Sequence, residues 1–110
     1  MTPETVVSTL SNIFPTFETE WADENQYIEG GEFSFHAVLI EFATFLGTHA
    51  PTASAGQLSA TADFINKAID GEAQLANAVA TCLLEHIHQL NLKKHLWPLL
   101  SNRAKNEARP

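Results

Sequence analysis

The sequence predicts an all-α protein, a compact bundle of about five helices around a central antiparallel helical hairpin. Apolar residues recur every three or four positions in each long segment, helix-capping residues stand where those segments begin, and no stretch has the alternating period of a strand. Of the 110 residues, 45% are hydrophobic, which is enough for one core. We therefore expect a single domain over residues 1–110, with a short solenoid-like helical stack as the alternative arrangement.

The first predicted helix begins at Thr2-Pro3-Glu4, which supplies an N-cap, a proline suited to the first helical position and an acid in the first turn. Its apolar face continues across Pro15, so the pattern favours either one kinked helix or two short helices that share a face. That face comprises Val6, Leu10, Ile13, Phe14, Phe17 and Trp21. The helical period is lost over residues 23–33, which predicts an exposed acidic loop.

Ser34 can cap a second helix, whose apolar face is wide enough to predict a central position in the bundle. The face comprises Phe35, Val38, Leu39, Phe42, Phe45 and Leu46, and is widened by Ile40 and Ala43. The segment from Gly47 to His49 is expected to end this helix.

The central hairpin is predicted from the turn at Asp70-Gly71, where a third helix stops and Glu72 opens a fourth. The third helix carries Leu58, Ala62, Ile65 and Ile69. The apolar face of the fourth comprises Leu75, Val79, Cys82, Leu83, His86, Ile87 and Leu90, so Cys82 and His86 are expected to be buried. A fifth helical stretch, interrupted at Pro98, carries Leu92, Leu96, Trp97, Leu99 and Leu100, and the polar tail over residues 103–110 is expected to fray.

Charge is divided along the chain, which has a formal net charge of −7. Residues 1–66 contain nine acids and no Lys or Arg, whereas the stretch from Leu92 to the C-terminus has a formal charge of +4. The negative part would repel nucleic acid and anionic membranes over most of the surface and would speed encounter with a basic protein. No apolar run is long enough to span a bilayer and no signal-peptide pattern begins the chain, so we expect a cytoplasmic protein.

The sequence contains no catalytic motif and predicts neither an enzyme nor a cofactor. Glu85 and His88 have the Glu-x-x-His spacing of carboxylate-bridged metal sites, but a second copy and two further glutamates are missing. His86 and His88 cannot share an ion on a regular helix, because residues two apart face away from each other. We therefore expect no metal site.

The partner-binding residues are predicted in the acidic stretch that follows the first apolar face, where aromatic and aliphatic side chains lie among carboxylates. The predicted set is Glu18, Glu20, Asp23, Glu24, Tyr27, Ile28, Glu29 and Glu32. Trp21 lies within this stretch but on the apolar face, which favours a core position. Tyr27 and Ile28, in the predicted loop, are better placed to contact a partner.

The hairpin from Asp63 to Glu85 resembles the helix-turn-helix centre of a family of small helical bacterial proteins of uncharacterised function, which are similar to immunity proteins encoded beside secreted polymorphic toxins. Asn66 stands where that family has glutamate, and Cys82 stands where a bulkier residue is usual. The resemblance implies a binding inhibitor of a basic toxin domain. The alternative is a helical adaptor or regulatory subunit that binds a housekeeping protein, and the neighbouring genes would distinguish the two. Oligomeric state is not indicated.

Overall fold

The structure is a computed structural model that describes residues 1–24 and 33–108. Within those residues the regular elements are helices: α1 (Pro3–Ile13), α2 (Pro15–Glu24), α3 (Phe35–His49), α4 (Ala55–Asp70), α5 (Ala73–Cys82), α6 (Lys93–Leu96) and α7 (Asn102–Glu107). Short 3₁₀ helices follow α3, α5 and α6 at Ala50–Thr52, Leu84–His86 and Trp97–Leu99. The all-α class is confirmed, but the described residues form seven α-helices where about five were predicted. None of them is long and apolar enough to cross a bilayer.

The helix starts that the sequence predicted at Thr2 and Ser34 are confirmed by side-chain caps. The Thr5 backbone N–H donates to the Thr2 hydroxyl at 3.2 Å, and the Ala37 N–H donates to the Ser34 hydroxyl at 3.1 Å. At the start of α4, Ser54 and Gln57 form a reciprocal capping box. These bonds satisfy backbone donors that the first turn of a helix leaves without a partner.

Pro15 divides the first predicted helix into α1 and α2, so the two-helix alternative is the one observed. Phe14, between them, has an extended backbone and is buried. The rings of Phe14, Phe17, Phe42 and Phe45 form an aromatic cluster in which the paired centroids lie 5.2 to 6.2 Å apart. This cluster joins α2 to α3 and fixes the direction in which α2 leaves the proline.

The apolar face predicted for α3 is confirmed at its six main positions and at Ala43, but not at Ile40. Ile40 is 54% exposed, because it lies about 200° around the helix from the buried Phe42. α3 ends at His49, inside the segment from Gly47 to His49 that was predicted to end it, although Gly47 itself is still helical. The missing side chain of Gly47 instead makes room for Leu90, whose Cδ2 atom would lie 3.3 Å from a β-carbon at that position.

The predicted length of the fourth helix and the predicted burial of His86 are both wrong. The fourth predicted helix ends at Cys82, and Leu83 is its C-cap, with a φ of −120° that departs from the φ of a regular helix. The period that placed His86 in the core therefore does not continue, and His86 is exposed while Leu84 and Ile87 are fully buried. Cys82 is buried as expected.

The short helix α7, Asn102–Glu107, includes residues 103–107 of the polar tail that was expected to fray. Ser101 caps its N-terminus, and Ala104 and Ala108, four residues apart, are both buried against the rest of the chain. Small side chains at this spacing give the helix a buried face that a search for large apolar residues overlooks.

Replacing Phe17 by Ala should destabilise the protein by about 3–5 kcal/mol, because it removes a fully buried ring from the aromatic cluster and leaves a cavity. Chemical denaturation followed by circular dichroism measures the change. Thr16→Ala, at an exposed position of the same helix, should stay within about 0.5 kcal/mol of the parent protein. A similar small change for Phe17→Ala would show that α2 does not depend on the cluster.

Candidate interaction surfaces

The term acidic surface refers to Glu18 and Glu20, whose side chains are exposed on α2. They lie on the two flanks of the helix, since residues two apart are separated by about 200° around its axis. The side between them is anchored by Phe17 and by Trp21, which is 9% exposed and packs edge-on against Phe33 with 4.8 Å between the ring centroids. The expectation that Trp21 belongs to the core is therefore confirmed. Because the anchoring side is buried, α2 presents its carboxylates from a fixed element.

Glu20 also contacts the end of α3. Its Oε1 atom lies 3.3 Å from the Nε2 atom of His49, whose ring stacks on Phe45 with a centroid distance of 4.1 Å. The side chains of His49 and Glu20 remain 36% and 50% exposed. The carboxylate of Glu20 is thus oriented by α3 while it stays accessible to a partner.

The other predicted partner-binding residues are placed differently. Asp23 and Glu24 belong to the last turn of α2, so the predicted loop does not begin at residue 23. The helical segment that contains Trp21 extends to Glu24, which follows from the favourable helix propensity of glutamate. Tyr27, Ile28, Glu29 and Glu32 lie outside the described residues.

No lysine or arginine is present on the first three described helices. The segments that form α1, α2 and α3 contain no Lys or Arg, and the first cation of the chain is Lys67 on α4. The negative potential of Glu18 and Glu20 is therefore not offset by an ammonium or guanidinium group on the helices that support them.

A basic surface lies in the C-terminal part of the chain and consists of Lys93, Lys94, Lys105 and Trp97. The Nζ atoms of Lys93 and Lys105 lie 4.9 and 5.6 Å from the centre of the Trp97 ring, within the range of cation–π contacts. A cavity of about 530 Å³ adjoins this surface. It is lined by His88, Asn91, Lys93, Lys94, Trp97 and Pro98. The sequence showed the positive charge here, but not the cavity.

One wall of this cavity is fixed by a backbone turn at Asn91. Its φ of +58° is left-handed, and the Leu92 N–H donates to the Ile87 carbonyl while the Asn91 N–H donates to the His88 carbonyl. This pair of bonds is a Schellman motif, and the accompanying apolar residues Ile87 and Leu92 are both fully buried. Asparagine tolerates the left-handed conformation better than most residues, so its position marks the turn.

Asn66 on α4 holds the segment that follows Trp97. Its amide nitrogen donates to the Leu99 carbonyl at 3.2 Å, and its amide oxygen accepts from the Ser101 N–H at 2.9 Å. A glutamate at this position could not donate the first bond. An exposed ion pair between Arg103 and Asp70, at 3.2 Å, adds a second link between α7 and α4.

The histidines and acids considered for metal binding do not come together. Glu85, His86 and His88 are each exposed. Over residues 1–24 and 33–108, no group of three or more His, Cys, Asp or Glu side chains is arranged to hold a metal ion.

The fold and its surfaces define an all-helical domain in which the carboxylates of Glu18 and Glu20 lie on α2 and the ammonium groups of Lys93 and Lys94 belong to α6. The chain belongs to the DUF7674 family, a domain of unknown function that matches residues 7–110. No curated protein and no solved structure matches it. The family carries no assigned function, so the relation to toxin immunity implied by the hairpin stays a prediction.

Asn91→Ala should destabilise the protein by about 1 kcal/mol, because alanine is strained in the left-handed conformation. Asn91→Gly should not, since glycine adopts this conformation without strain. Thermal unfolding of the two variants measures the difference. Equal stability of the two variants would contradict the Schellman turn.

Asn66→Asp should destabilise the protein by about 1–3 kcal/mol at neutral pH, because a carboxylate would face the Leu99 carbonyl and the bond to it would be lost. Hydrogen exchange of the α7 amides should accelerate at the same time. Asn12→Asp makes the same chemical change at an exposed position of α1 and serves as the control. Unchanged α7 protection in Asn66→Asp would show that this segment is held by other contacts.

Proposed function

We propose that this chain is a protein-binding module that neutralises a basic toxin domain, as an immunity protein does, by covering its functional surface with the acidic surface on α2. The supporting observation is the exposure of Glu18 and Glu20 on the two flanks of a helix that is anchored between them by residues of the aromatic core. A rigid element bearing exposed charges loses little conformational entropy when it binds.

The charge distribution supports a basic partner. Carboxylates with no lysine or arginine on the same helices produce a negative potential that accelerates encounter with a positive protein and disfavours acidic ones. Among toxins, a nuclease suits this chemistry best, because carboxylates can occupy a surface that otherwise binds phosphate groups. Asp23 and Glu24, at the end of the same helix, extend the acidic sequence toward Tyr27, Ile28, Glu29 and Glu32.

A helical adaptor that binds a housekeeping protein would use the same acidic surface, so binding alone does not separate the two roles. Growth of a bacterial host does separate them. Expression of the toxin domain encoded beside this chain should arrest growth, and co-expression of this chain should restore it. An adjacent operon of metabolic genes, with no toxin gene, would count against the immunity role and in favour of the adaptor.

The double variant Glu18→Gln/Glu20→Gln should associate with the partner roughly three- to tenfold more slowly at low salt, and its rate should depend less on salt concentration. Surface plasmon resonance across a salt series measures both effects, with circular dichroism as the folding control.

The matched control is Glu85→Gln/Glu107→Gln, which removes the same charge from two exposed positions outside α2. If the control slows association equally, net charge alone steers binding and the acidic surface has no special role. Unchanged rates in both variants would place the interface elsewhere.

A further inference from the structure

The cavity beside Trp97 has a lining suited to anions. Lys93 and Lys94 contribute ammonium groups, and His88 and Asn91 contribute ring and amide nitrogens that can donate hydrogen bonds. Trp97 and Pro98 complete the wall with apolar rings. Among residues 1–24 and 33–108, no carboxylate lines the cavity, so no described residue of its wall repels an anion.

The lysines of this cavity are not neutralised by neighbouring acids. In the part of the chain that the structure describes, Arg103 pairs with Asp70 and His49 contacts Glu20. Neither involves Lys93 or Lys94, which are exposed and adjacent in sequence. The net charge of the chain is −7, but the two lysines concentrate positive charge at this cavity, and that charge attracts an anion.

We propose that this cavity binds the phosphate group of a phosphate-bearing ligand. Lysine binds phosphate as a point charge, and an anion with more than one negative charge gains from two ammonium groups at once. A single carboxylate carries only one charge and gains less. His88 and Asn91 would donate hydrogen bonds to the remaining phosphate oxygens.

The cavity is open to solvent and has room for more than an isolated phosphate ion. Its volume of about 530 Å³ lies within the roughly 300–1,000 Å³ of small-molecule sites. The rings of Trp97 and Pro98 supply contact area for the organic part of the ligand. A free nucleotide and a nucleic-acid strand both meet these requirements, since they share the phosphate group and an adjoining organic moiety.

This site is independent of the proposed toxin-binding role, because its residues belong to the C-terminal part of the chain and not to α2. Lys94 is the best position for a test. Lys93 also contacts the Trp97 ring, whereas no such contact complicates the replacement of Lys94. Lys67 on α4, exposed and outside the cavity, provides a control with the same change of charge.

Isothermal titration calorimetry of the full chain at low salt tests the proposal with three probes: inorganic pyrophosphate, ADP and a single-stranded oligonucleotide of about 12 nucleotides. At least one should bind with a defined stoichiometry. Lys94→Gln should weaken that binding about tenfold or more, and Lys67→Gln by less than about twofold. Tighter binding of ADP supports a free nucleotide, and tighter binding of the oligonucleotide supports a nucleic-acid strand.

Three results would overturn the proposal. The first is the absence of binding by every probe. The second is equal weakening by Lys94→Gln and Lys67→Gln, which would mean that net charge and not the cavity attracts the anion. The third is binding of a tetraglutamate peptide as tight as that of the best phosphate probe, which would assign the surface to an acidic protein segment.

Discussion

The position of α2 depends on the packing of Phe14 and Phe17 against Phe42 and Phe45. Each favourable edge-to-face pair contributes about 0.5–1.5 kcal/mol beyond the area it buries, and the four rings form several such pairs. Pro15 interrupts the backbone between α1 and α2, so hydrogen bonds within a continuous helix cannot hold the two in line. Aromatic packing replaces them, and the direction of Glu18 and Glu20 follows from it.

The second half of the chain is organised by backbone turns more than by long helices. α5 ends at Cys82, and the chain then passes through a 3₁₀ helix to the Schellman turn at Asn91 before α6 begins. These changes of direction keep Leu83, Leu84, Ile87 and Leu92 fully buried while the polar residues between them reach the surface. The same turn places Asn91 in the wall of the basic cavity.

The elements that were predicted well are those whose signals are local. The caps at Thr2 and Ser34 and the turn at Asp70-Gly71 act within a few residues, and the structure has helix ends at each of them. His86 was misplaced because a periodic pattern says which residues would share a helical face, but not whether the backbone remains helical. The early end at Leu83 goes together with the burial of several leucines in the tertiary structure. A short window of sequence does not contain the information about that packing.

The two candidate surfaces were also predictable to different degrees, because a local pattern predicts which residues share a helical face but not where the backbone turns. Exposure of Glu18 and Glu20 follows from their places beside the apolar residues of one helix, so the sequence was sufficient. The residues that line the basic cavity all lie between His88 and Pro98. They meet because the backbone turns at Asn91, and the sequence pattern did not predict that turn. Because the acidic surface depends on the aromatic cluster and the basic surface depends on Asn66 and Asn91, each can be altered while the support of the other is left in place.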